Sequence, residues 1–117
     1  MGTILDRYFE VSERLWADEG ALEELMGLFA EEAEVRPAGA PRVVGRAEIG
    51  KLWREFARRN RRWQRVWRVQ PDGLEATWAV SGEQADGELF AVRGSHRAQL
   101  DAAGKIQYLE VQVAAEG

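Results

Sequence analysis

From about Arg62 onward the apolar residues of this chain stop recurring every third or fourth position and begin to alternate. That change of period constrains the fold more than any motif does. Before it, Ile4, Leu5, Tyr8, Phe9, Leu15 and Trp16 follow helical spacing, and Thr3 stands where it can cap the start. The DEG at 18–20 breaks this helix, and the spacing predicts a second from about Ala21 to Ala30. AEVRPAGAPRVVG then predicts a brief strand, a loop and another short extended piece. GRAEIGKLWREFARRN opens a third helix with Ile49, Leu52, Trp53 and Phe56 on one side. After it, WQRVWRV, LEATWAVSG, residues 88–100 and KIQYLEVQV read as four antiparallel strands. PDG, a three-residue loop in QADGE with Gly87 left-handed, and DAAG join them. The expectation is an α+β fold of one domain over residues 1–117. A curved, cone-shaped antiparallel sheet wraps around three N-terminal helices, and a cone leaves a pocket.

Composition removes several classes of chemistry. With no cysteine and one histidine, disulfides, thiolate sites and histidine-rich metal sites are excluded, and no acid-rich loop has calcium-ligand spacing. GRAEIG lacks the lysine and spacing of a phosphate loop, and there is no G-x-S-x-G. No cofactor is expected. The opening MGTILDRYFEVSE has early acids and no apolar h-region, Asp6 stands where myristoylation wants Ser or Thr, and no apolar run nears the ~20 residues of a membrane span. A cytoplasmic protein with no membrane partner is expected.

Charge is divided along the chain. Residues 1–34 hold ten acids against two arginines, net −8, while residues 36–68 hold eleven basic residues against two acids, net +9. The expectation is that these halves lie together and neutralise. The run WREFARRNRRWQRVWRV interleaves arginine with aromatics, as single-strand nucleic-acid binders do. A negative whole chain without a nucleic-acid module argues instead for a solvated helix end paired with the acidic helices.

Three stretches resemble the nuclear-transport-factor-two-like superfamily, which includes ketosteroid isomerases and SnoaL-type polyketide cyclases. They are LMGLFAEEAEV (25–35), VVGRAEIGKLWREF (43–56) and LDAAGKIQYLEV (100–111). The resemblance implies an active-site tyrosine at Tyr8, a strand acid position at His96 and a pocket aromatic at Trp53. The family's proton-abstracting carboxylate would fall in VRP, where this chain has Arg36 before Pro37. Steroid isomerisation by that mechanism is therefore not expected. The resemblance also implies a homodimer through the outer sheet face.

His96 alternates with Phe90, Val92, Gly94, Ala98 and Leu100, so it is expected to face the cone. Its hairpin partner strand sets Trp78 opposite Gly94, which predicts open space beside the imidazole. An acid–base role and a plain hydrogen-bonded polar lining both fit His96. Tyr8 reads as an oxyanion donor or as a core aromatic. Glu110, an acid on the last strand, has two placements. A three-residue Ala102–Gly104 loop sets it across from His96 as a dyad. A four-residue loop turns it outward near Arg97, which the apolar pattern favours. Phe29, Trp53, Trp78, Val92, Leu109 and Val111 are expected to line the pocket. Trp63 and Trp67, sharing a strand face with Arg65, suggest an interface. The expected function is a pocket for a small cyclic hydrophobic molecule. It is read as a cofactor-free isomerase, cyclase or dehydratase working by proton transfer, or as a non-catalytic binding or interaction dimer.

Overall fold

The computed structural model describes residues 2–114. Its elements are α1 (Ile4–Glu13), α2 (Gly20–Met26), β1 (Phe29–Arg36), β2 (Val43–Val44), α3 (Arg46–Arg59), β3 (Asn60–Val69), β4 (Glu75–Gln84), β5 (Leu89–Leu100) and β6 (Ile106–Val113). The six strands form one sheet in the order β2-β1-β6-β5-β4-β3. Its long strands are antiparallel, as the alternation predicts, but β1 pairs with β6 in parallel, so the sheet is mixed. Register shifts interrupt the ladders at Phe29/Glu34, Asn60/Arg62 and Gln99/Leu100. Such bulges bend strands and increase twist, which curves the sheet around the helices. No helix among the described residues is long and apolar enough to cross a membrane.

α1 begins in a capping box. The Asp6 N–H donates to Thr3 Oγ1 at 3.2 Å and the Thr3 N–H to Asp6 Oδ2 at 2.9 Å. Two indoles of β3 then fasten α1 to the sheet. Trp63 Nε1 donates to the Ser12 carbonyl at 3.2 Å and Trp67 Nε1 to Asp6 Oδ1 at 2.9 Å. These tryptophans therefore face the core with Arg65 rather than forming an exposed interface. Leu5, Phe9, Leu25, Phe29, Ile49, Ile106 and Leu109 are fully buried between helices and sheet. Burial of each such side chain stabilises by roughly 1.5–3 kcal/mol.

The second helix is shorter than its spacing predicts. It stops at Met26, and Phe29 already pairs with Ile106 in β6. The Ile106 N–H takes the Leu28 carbonyl at 2.8 Å, and Arg46 donates twice to the Phe29 carbonyl. Partners distant in the chain thus take the carbonyls just beyond Met26 and hold that backbone in strand pairing.

The charged halves do not neutralise each other as the sequence suggests. Arg7 and Arg14 pair with Glu24 inside the acidic segment. In the basic segment Arg58 pairs with Glu55, and Arg61 and Arg62 share Glu83 of β4. Glu34, with Arg36 and Arg42, is the acid that bridges the two segments among the described ion pairs. Short, local partners are geometrically cheaper for long side chains than a distant acidic surface.

Candidate functional site

The inward faces of β3, β4 and β5 meet in register: Trp67 opposite Trp78, Trp78 opposite Gly94, and Ala76 opposite His96. The hairpin between β4 and β5 closes from Gln84 to Glu88 over three residues with Gly87 at φ +92°, as its sequence predicts. Between this face, α1 and α3 lies a cleft of about 840 Å³. Phe29, Trp53, Trp78, Val92, Leu109 and Val111, the six residues expected to line a pocket, all line it. Tyr8 and His96 do too.

The space predicted beside His96 is filled. A Cβ at Gly94 would lie 2.7 Å from Trp78 Cζ2 and would collide with the Gln112 carbonyl oxygen. The glycine lets the indole lie across β5, and the ring occupies the space the missing side chain leaves. From there Trp78 Nε1 donates to His96 Nδ1 at 2.5 Å. An indole nitrogen only donates, so Nδ1 is the acceptor and the imidazole proton sits on Nε2. Burial, and then the charge of Arg65, lower the His96 pKa from 6.5 to about 3. The ring is therefore neutral at physiological pH and presents an N–H donor.

Tyr8 comes from α1, its ring centroid 5.3 Å from that of His96. It packs edge-on against Phe9, Phe29 and Trp53. Burial raises its pKa to about 12, so the hydroxyl stays protonated. Neither the hydroxyl nor His96 Nε2 is among the sealed, unpartnered atoms of the described residues.

Glu110 does not join this group. The loop is the three-residue one, with the Asp101 N–H bonded to the Lys105 carbonyl. A bulge opposite Gln99/Leu100 then adds one residue to β6, so that His96 faces Val111 and Arg97 faces Glu110. Glu110 lies on the outer face beside Arg97 and Arg36, and the dyad register is not the one formed. Arg97 takes Glu75 as its ion partner instead. Arg36, at the position of the family's base, points to Glu34 and is exposed.

The site also holds a residue whose sequence context suggests an interface. Arg65 projects into the cleft from β3, its guanidinium carbon 5.2 Å from the Trp78 ring centroid and 5.4 Å from that of Phe9. Its Nε and Nη1 are buried with no hydrogen-bond partner. The signal was its alternation with Trp63 and Trp67, which puts it on whichever face those indoles occupy. Asp86, at the rim, is the single acid among the lining residues.

No protein-family model matches the sequence, and no curated protein does. Among solved structures, an NTF2-like protein of unknown function from Exiguobacterium sp. 255-15 is 30% identical, with 97% of this chain and 100% of that one covered and a TM-score of 0.86. A candidate polyketide cyclase from Xanthomonas campestris pv. campestris is 18% identical over 93% and 86% of the two chains, TM-score 0.75. A Mycobacterium tuberculosis protein in complex with estradiol-17β-hemisuccinate is 16% identical over 93% and 92%, TM-score 0.70. The last two share the fold. The first, matched along its full length by a chain with the same helix and strand order that its sequence motifs imply, shows that this protein belongs to the NTF2-like, or nuclear-transport-factor-two-like, family.

Proposed function

We infer that the cleft binds a small, largely apolar molecule that carries a hydrogen-bond-accepting oxygen. One observation carries this reading: the Trp78–His96 bond occupies the imidazole lone pair and leaves its N–H as a donor. Tyr8 and His96 are then both neutral donors, and no acid lines the interior. Paired donors hold an oxygen that carries or gains negative charge. They do not abstract a proton. The aromatic lining suits a ringed body, in keeping with the steroid ester found with the mycobacterial neighbour. The cleft volume lies in the usual range for small-ligand sites.

A second reading is a cofactor-free isomerase, cyclase or dehydratase acting on the same class of molecule. The candidate polyketide cyclase among the neighbours favours it, as does the donor pair, which is suited to polarising a carbonyl. One experiment addresses both. Intrinsic tryptophan fluorescence is titrated with 2-cyclohexenone, 1-tetralone and a steroid enone, and the same mixtures are assayed for product. Saturable quenching without product supports the binder. Product formation lost in His96→Ala supports the enzyme. No saturable signal with any of the three contradicts both.

The partner on the outer sheet face is proposed to be a second copy of this chain. Val66 is 71% exposed and Leu89 78% exposed on that face, with Ala79 and Ala91 exposed near them. Sedimentation equilibrium of the wild type and of Ala91→Glu tests this: a dimer that the charge dissociates supports it, and a wild-type monomer at every concentration refutes it.

A further inference from the structure

We propose that Arg65 makes the cleft a site for an organic monoanion: the ligand carries a carboxylate, seated on the Arg65 guanidinium, on an apolar ringed body held by the aromatic wall. This rests on the reading of the cleft as a small-molecule site and names the class of molecule it takes.

The guanidinium forms no salt bridge among the described residues, although the charge of Glu13 acts on it. Glu13 accepts instead from the Arg65 backbone N–H at 2.8 Å. Arg65 Nε and Nη1 are the sealed side-chain nitrogens or oxygens that lack a partner among the described residues. Those two nitrogens are closed off from the cleft; Nη2, which is neither sealed nor hydrogen-bonded to the described residues, is the guanidinium donor that an acceptor in the cleft reaches. The faces of Phe9 and Trp78 beside the cation attract it but accept no conventional hydrogen bond from these N–H groups.

Charge narrows the acceptor. Of the cleft's three arginines Arg65 alone is not exposed, and the acid, Asp86, is exposed as well, so the interior has room for one negative charge. A phosphate dianion would bring a second charge into an apolar, aromatic space with nothing to meet it. A carboxylate accepts from the open Nη2 of this guanidinium in a charge-assisted bond, stronger than the bond to a neutral acceptor.

The test compares matched acids and amides: 2-naphthoate with 2-naphthamide, and adamantane-1-carboxylate with adamantane-1-carboxamide. Each is titrated calorimetrically at pH 7 into the wild type and Arg65→Met. The wild type is expected to bind each acid at least about tenfold more tightly than its amide, the scale of a charge-assisted hydrogen bond. In R65M the acids should lose at least about tenfold in affinity and the uncharged amides less, so that the preference for the acid disappears. Amides that bind as well as the acids in the wild type overturn the anion assignment and leave the pocket intact. An acid preference that survives R65M overturns the role of Arg65. If none of the four compounds binds, the pocket and the anion site fail together. Should R65M not fold, Arg65→Gln, which keeps side-chain donors without charge, is read in the same way.

Discussion

Trp78 and His96, on neighbouring strands, are joined by a 2.5 Å hydrogen bond from indole Nε1 to imidazole Nδ1, and Gly94 lies beneath the indole that makes it. The bond decides which nitrogen of His96 is protonated. It thereby decides what the cleft offers a ligand: donors from α1 and β5, with a cation from β3.

Trp78→Phe should keep an aromatic ring at this position and remove the donor. His96 Nδ1 then loses its partner inside the protein, at a cost of about 1–3 kcal/mol in unfolding free energy. Nitrogen chemical shifts of the single histidine should show one tautomer, Nε2–H, in the wild type and a mixture in W78F. A mixture already present in the wild type contradicts the assignment.

Acid should unfold the protein partly through His96. Its folded pKa is about 3 and its unfolded value near 6.5. Between those values the unfolded chain holds a proton that the folded one refuses, so stability is complete above pH 6.5 and falls as the pH drops. The slope from this one group approaches about 1.4 kcal/mol per pH unit. Urea unfolding of wild type and His96→Asn from pH 7 to pH 4 isolates it, because the carboxylates titrate alike in both. A wild-type advantage that does not shrink on acidification refutes the claim.

Arg65→Met should stabilise the empty protein. Two buried N–H groups without partners are removed, each costing about 1–3 kcal/mol, against the loss of cation–π attraction worth about 0.5–2 kcal/mol. A net gain of about 1 kcal/mol, or about 4 °C in melting temperature, is expected by calorimetry. A large drop instead would assign Arg65 to the scaffold.

Gly94→Ala should destabilise by about 3 kcal/mol, since the new methyl meets a backbone oxygen that no rotamer change can move. Chemical denaturation measures the loss. The Trp78–His96 bond should break with it, visible as the same histidine tautomer mixture as in W78F.

Tyr8→Phe should leave stability at pH 7 within about 0.5 kcal/mol, because the ring contacts remain and the hydroxyl makes no hydrogen bond to the described residues. It should also remove an alkaline instability. With a folded pKa of about 12 against 10 unfolded, the wild type loses stability as the pH rises from 10 to 12, and Y8F lacks that term. Ketone affinity should fall about fivefold in Y8F, the scale of one neutral hydrogen bond.

Much of this site is legible in the sequence. Alternation alone puts Trp78, Val80, Val92 and His96 on one face, because successive side chains of a strand point to opposite sides whatever the strand packs against. The Gly87 loop then sets Trp78 opposite Gly94 from hairpin geometry. The length of α2 was not legible, because parallel pairing with β6 involves residues some 77 positions away (Phe29 with Ile106). The Trp78–His96 bond was missed for a different reason: the glycine was read as an opening, whereas a close-packed interior filled it with the ring opposite.

The amino-acid order by itself determined the local periods, the turns, the helix cap at Thr3 and the shared face of the cleft residues, since each depends on covalent geometry and near neighbours. The tertiary structure alone decided three things. A bulge in β6 turned Glu110 outward. The docking of α1 by the indoles of Trp63 and Trp67 made their face, and with it Arg65, the inside. The approach of Trp78 across Gly94 set the imidazole proton. Facing, burial and protonation depend on what the rest of the chain brings alongside, and no local pattern records that.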